Sequence, residues 1–123
     1  MTPPLYITRK TRRSDPAGPA ITLREWLAYL DADPEMHPVG FAEVETPDGS
    51  RYPVSTGLAV WLGYSQHRHG DLAWFDLVNG HITVSTPNPE IIRKMQRIAG
   101  ALEARVEGEH GERYDADGRE VAA

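Results

Sequence analysis

Leu72-Ala73-Trp74-Phe75-Asp76-Leu77-Val78-Asn79-Gly80-His81-Ile82-Thr83-Val84-Ser85-Thr86 is the stretch that decides the fold. Asn79 and Gly80 both accept the positive φ of a type I′ turn, so the residues on either side are expected to pair as an antiparallel hairpin. A two-residue turn fixes the register. It sets Val78 opposite His81, Leu77 opposite Ile82, Asp76 opposite Thr83, Phe75 opposite Val84 and Trp74 opposite Ser85. Because side chains alternate along a strand, Phe75, Leu77, Ile82 and Val84 share one wholly apolar face and belong to a core. Trp74, Asp76, His81 and Thr83 share the opposite, mixed face.

Downstream, Asn88-Pro89-Glu90 supplies an N-cap acceptor, a proline that gives up no needed bond, and a carboxylate at the positive end of a helix. Ile91, Ile92, Met95, Ile98, Ala99 and Leu102 then recur at spacings of three and four, with Arg93, Lys94, Gln96, Arg97 and Glu103 expected on the other side. From Val106 the chain turns polar, and Glu107 to Tyr114 can form at most a short hairpin or an edge strand. Upstream, Leu58 to Leu62 is an apolar run short enough for a buried strand. Phe41 to Thr46 and Arg51 to Ser55 flank Pro47-Asp48-Gly49-Ser50 and read as another hairpin, with Pro53 favouring a sheet edge. Thr22 stands three residues before Glu25, the capping-box spacing, so a helix should start at Leu23. Its stripe Leu23, Trp26, Leu27 and Leu30 ends at Asp33-Pro34. Leu5 to Thr8 is a candidate first strand.

Together these elements predict an α+β fold, an antiparallel sheet of about four to six strands with two helices packed on it. Residues 1–20 read as a basic N-terminal arm and linker, 20–115 as a single domain, and 116–123 as a frayed tail. A chain of 123 residues, 40% hydrophobic and 25% charged, is the size and composition of one globular core. No apolar run approaches the ~20 residues that a membrane helix needs. Met1 to Arg13 lacks the apolar stretch and cleavage site of a secretory signal, so a cytoplasmic location is expected. The absence of cysteine excludes disulfides, thiolate nucleophiles and sulfur-ligated zinc.

Few residues carry recognisable chemistry. His67-Arg68-His69 places two imidazoles on one side of an extended chain, but catalytic zinc sites usually need three protein ligands and structural ones four. Glu43 and Glu45 would share a strand face, where acid and base work is conceivable, but Arg51 opposite them favours a solvated pair. Neither a nucleophile elbow nor a phosphate-cradling glycine loop is present. No catalytic residue, metal or cofactor is therefore assigned. The arm Arg9-Lys10-Thr11-Arg12-Arg13 lacks aromatics for base stacking and is joined to an acidic chain, so nucleic acid is not the expected partner.

The net charge of −5 comes largely from two acidic stretches, Asp31 to Asp48 and Glu103 to Glu120. Such a surface is matched to a basic protein. Asp31, Asp33, Glu35, Glu109 and Glu112 are the acidic candidates for contact, and Trp74, Asp76 and His81 on the mixed sheet face supply an aromatic anchor and its polar neighbours.

Trp61, Trp74-Phe75, Gly80-His81-Ile82, Lys94-Met95, Ile98-Ala99, Leu102 and Gly108-Glu109-His110-Gly111-Glu112 carry a resemblance to a family of small bacterial proteins of undefined biochemical activity. Such proteins are similar to the compact, acidic immunity proteins found beside polymorphic toxins. The resemblance spans residues 20–115, brings no catalytic residues, and does not extend to the basic, proline-containing N-terminus. It implies an antitoxin that neutralises a cognate basic toxin by stoichiometric binding. The alternative is a small enzyme or ligand-binding protein built around a His/Glu pocket.

Overall fold

The Asn79-Gly80 turn forms as its residues dictate, with φ of 52° and 84°. A computed structural model describes residues 4–10, 18–85, 87–115 and 118–121 of the chain, without the side chains of 40–44 and 52–56. In chain order the elements are β1 (Leu5–Thr8), α1 (Leu23–Ala32), β2 (Met36–Glu45), β3 (Arg51–Trp61), β4 (Trp74–Val78), β5 (His81–Val84), α2 (Pro89–Ala101), β6 (Arg105–Glu107), β7 (Arg113–Tyr114) and β8 (Glu120–Val121). Val78, Leu77 and Asp76 face His81, Ile82 and Thr83 as the turn requires. The ladder stops short of the expected Phe75–Val84 and Trp74–Ser85 pairs. On their other sides, Phe75 and Trp74 pair with Ala59 and Val60 of β3, and Val84 pairs with Leu5 of β1.

All strands pair antiparallel in one sheet of order β2-β3-β4-β5-β1-β6-β7-β8. The sheet thus has eight strands rather than four to six. Three of the additional strands, β6, β7 and β8, are only two or three residues long, too short to show an alternating pattern. Where a frayed tail is expected, Glu120 and Val121 pair with Tyr114 and Arg113. Leu5 to Thr8 forms the expected first strand, and β1 lies between β5 and β6 in the interior of the sheet. At the other end, Arg51 to Ser55 and Leu58 to Leu62 do not form two strands. Gly57, at φ 93°, carries the chain through, and β3 runs unbroken to Trp61. The first half of β3 pairs with β2 alone, since its ladder to β4 covers only Leu58 to Val60. Pro53 therefore sits where no second neighbour calls for its missing donor.

Both helices begin at the expected caps. The Thr22 hydroxyl accepts from the Glu25 amide while the Glu25 carboxylate accepts from the Thr22 amide, closing the capping box. Asn88 Oδ1 accepts from the Ile91 amide at 2.9 Å with Pro89 in the first turn. Trp26 and Leu30 of α1 and the stripe of α2 from Ile91 to Leu102 enter one core with Ile7, Phe75, Ile82 and Val84 of the sheet. Both helices thus cover the same face, and Trp26 Nε1 donates to the Gly57 carbonyl at 2.8 Å to fix α1 over β3. Lys94 departs from the expected polar side and is buried. It stands three residues after Ile91 and four before Ile98, so helical geometry puts it on their stripe. Among the described residues, no helix is long and apolar enough to cross a membrane.

Candidate functional site

Both helices lie on one face, and among the described residues no helix covers the opposite face of the sheet, so alternation decides what that face presents. Ala59 and Trp61 point into the core, so Leu58 and Val60 lie on the other face, where Val60 is nevertheless buried; Phe75 points in, so Trp74, Asp76 and Val78 point out. The register places Val60 beside Trp74 and Leu58 beside Asp76. Beyond the strand ends, the Trp61 amide donates to the Ala73 carbonyl at 2.9 Å, and Ala73 is buried, which leaves Leu62 and Leu72 as the neighbours of Trp74. Trp74 is 41% exposed, Leu62 43%, Leu72 37% and Val78 40%. Isolated exposed apolar side chains are ordinary, but a group including a tryptophan on one open sheet face is a typical interface.

Across the sheet the same face becomes polar. Tyr6 lies between Thr83 and Glu107 in register, and its ring meets His81 edge-on, with centroids 5.4 Å apart. The Tyr6 hydroxyl donates to Glu109 Oε1 at 3.4 Å, which brings Glu109 over this face from the β6–β7 turn. His81 is buried, so it supports the face rather than offering a contact. Glu107 is also buried and pairs with Arg105 at 3.0 Å.

The remaining predicted contact residues lie elsewhere. Asp31 is exposed on α1. Asp33 is not accessible in the way its place in an acidic stretch suggests: its Oδ2 accepts from Lys94 Nζ at 2.7 Å and from the Tyr29 hydroxyl at 2.6 Å. Burial would raise the Asp33 pKa, but the bonds from Lys94, Tyr29 and the Glu35 amide outweigh it and hold the carboxyl below its usual range. Glu35 is exposed, but its carboxylate accepts from Trp61 Nε1 at 3.1 Å. Glu112 folds back into its own turn, accepting from the His110 amide at 2.7 Å. Trp74, Asp76 and Glu109 therefore share a face, and the α1 carboxylates do not join them. Sequence reasoning missed the Asp33–Lys94–Tyr29 cluster; the signal was the spacing of Lys94 from Ile91 and Ile98.

The basic arm is also reassigned in part. Arg9 forms a bidentate pair with Glu25, at 2.9 and 2.6 Å, and donates to the Leu102 carbonyl; Lys10 is buried and donates to the Asn79 carbonyl. Arg12 and Arg13, like the linker residues Asp15 to Ala17, lie outside the described residues. His67 to His69 form a 3-10 turn rather than an extended segment. His67 lines a cavity of about 410 Å³ with Leu62, Tyr64, Ser65 and Arg68, a set without a carboxylate. Glu45 stands opposite Arg51, while the Glu43 side chain is outside the described set. Among the described residues no three metal-ligating side chains are gathered. The chain matches no protein-family model, no curated protein and no solved structure.

Proposed function

We propose that this protein acts by stoichiometric binding, holding a basic protein partner on the helix-free sheet face around Trp74, in the manner of an immunity protein that neutralises a toxin. One observation carries this reading: a large aromatic side chain, 41% exposed, stands beside Leu62 and Leu72, with Val78 further along the same strand, on a face that neither helix covers. Interface energy concentrates in such central aromatic anchors. Asp71, Asp76 and Glu109 on and around the face, in a chain of net charge −5, favour a cationic partner and speed its approach. The toxin identity of that partner rests on the sequence resemblance.

The test is co-purification and titration with the protein encoded beside this one. Trp74→Ala is expected to weaken the complex by at least tenfold, as the loss of a hot-spot residue does. The circular dichroism spectrum should be unchanged. A complex that forms with equal affinity with Trp74→Ala and with Asp76→Lys would remove this face from the interface. Catalytic turnover of a substrate by the purified chain, abolished by changing one histidine or glutamate, would replace the binding reading with the His/Glu alternative.

A further inference from the structure

On the helix-bearing side, away from Trp74, a cleft of about 260 Å³ opens between the end of β3 and α2, with Glu35, Trp61, Glu90, Arg93, Lys94 and Arg97 on its walls. Its walls carry three cations against two carboxylates, so the hydrogen bonds decide which charges are left to hold a ligand. Glu35 accepts from Trp61 Nε1 at 3.1 Å, and Glu90 accepts from both the amide and the hydroxyl of Ser65, at 2.9 and 2.6 Å. Lys94 is directed to Asp33 at 2.7 Å and lies 5.8 Å from the centre of the Trp61 ring. Glu35 lies close over Gly63, where a Cβ would displace its carboxylate. Both oxygens of Glu90 and one of Glu35 are thus engaged, and the lysine is neutralised.

Arg93 and Arg97 are different. They stand one turn apart on the exposed side of α2, and among the described residues neither makes a hydrogen bond or an ion pair. Side chains four apart on a helix have Cβ atoms about 6 Å from each other, close enough for two guanidinium forks to reach one small anion. Each fork offers five donors, more than one carboxylate can satisfy between the pair. A phosphate monoester has three acceptor oxygens and a charge of about −1.5 to −2 at neutral pH, which suits two adjacent cations. The cleft is smaller than the ~300–1,000 Å³ of sites for drug-sized ligands, so it suits a single phosphorylated group.

We propose that this cleft is an oxyanion site in which Arg93 and Arg97 clamp the phosphate group of a small phosphate monoester. It is independent of the Trp74 face, and its test needs no protein partner. The full chain is titrated with phenyl phosphate, inorganic phosphate and, at matched ionic strength, sodium chloride, following the Nε–Hε resonances of Arg93 and Arg97 by NMR. Saturable shifts at both arginines with phenyl phosphate, absent with chloride, are expected. Arg93→Gln/Arg97→Gln should weaken binding by about tenfold or more, as loss of charge-assisted hydrogen bonds does. Arg93→Lys/Arg97→Lys, which keeps the charge but not the forks, should weaken it less, and the thermal midpoint should stay constant throughout. Tighter binding of phenyl phosphate than of inorganic phosphate supports a monoester site. Equal binding of the two, shifts reproduced by chloride, or a double glutamine variant that binds normally would overturn it.

Discussion

Lys94 of α2 donates to Asp33, the residue that caps the C-terminus of α1, at 2.7 Å, so a largely buried ion pair ties the end of α1 to the middle of α2. Removing one partner of such a pair leaves the other charge poorly solvated, and that usually costs about 3–5 kcal/mol when burial is complete. Asp33 retains 13% side-chain exposure and the Tyr29 bond, so Lys94→Met is expected to cost somewhat less, about 2–3 kcal/mol. A urea double-mutant cycle with Asp33→Asn should show a coupling of about 1 kcal/mol or more. Additive effects would mean that the pair does not hold the helices together.

The pH response follows from two carboxylates. The Arg9 bond, helped by the Thr22 amide and hydroxyl, lowers the Glu25 pKa from 4.5 to about 2. At Asp33 the bonds from Lys94, Tyr29 and the Glu35 amide overcome burial and lower the pKa from its ordinary 3.8. Both folded values lie below the unfolded ones, so the stabilisation is complete above the unfolded values and is lost as pH falls through the folded ones. Loss of stability is therefore expected on acidification below about pH 4.5. Carboxyl-detected NMR should give a Glu25 midpoint near 2, moving up towards 4.5 with Arg9→Gln. A wild-type midpoint already at 4.5 would contradict the pair.

Two glycines separate backbone strain from steric clash. Gly80 and Gly111 have nearly the same positive φ, 84° and 83°, but a Cβ on Gly80 would stand 2.6 Å from Ala20 Cβ, while one on Gly111 meets nothing within 4 Å. Gly111→Ala should cost the left-handed penalty alone, about 1–2 kcal/mol. Gly80→Ala should cost about 1–3 kcal/mol more through overpacking. Equal denaturant midpoints for the two variants would show that Ala20 yields freely.

The facing of α2 is tested in the same way. Ile98 is wholly buried and Arg97 is exposed one residue before it. Ile98→Ala is expected to cost about 2–5 kcal/mol, and Arg97→Ala under ~0.5 kcal/mol, by denaturant titration.

The features legible in the sequence are those set by neighbours along the chain. The Asn79-Gly80 register, the Thr22–Glu25 box, the Asn88 cap and the apolar stripes each depend on spacings of two to four residues, and the structure reproduces them. What escaped depends on distant pairing. Nothing in Leu5 to Thr8 encodes insertion between β5 and β6, and Glu120-Val121 becomes a strand only because Arg113-Tyr114 offers an edge. The site divides in the same way. That Trp74 and Asp76 share the mixed face follows from alternation, whereas the exposure of Trp74 and the capture of Asp33 by Lys94, 61 residues away, depend on where the helices pack. An acidic stretch in sequence is therefore not an acidic patch in space.

The partner-binding reading has a kinetic signature. Asp71 and Glu109 are exposed beside the apolar group and beyond its polar side, so they would act on an approaching cationic partner through long-range attraction more than through close contact. Charges of this kind change association rates, and salt screens them over a Debye length of ~10 Å at 0.1 M. Asp71→Lys/Glu109→Lys should slow association with the partner, most at low salt, and leave dissociation nearly unchanged. Trp74→Ala should do the reverse, raising the dissociation rate with little dependence on salt, since a packed aromatic anchor is lost only after the complex has formed. Stopped-flow measurements over a salt series distinguish the two. If both variants change the same rate constant with the same salt dependence, the charged rim and the apolar centre are not parts of one interface, and the proposed docking face must be abandoned.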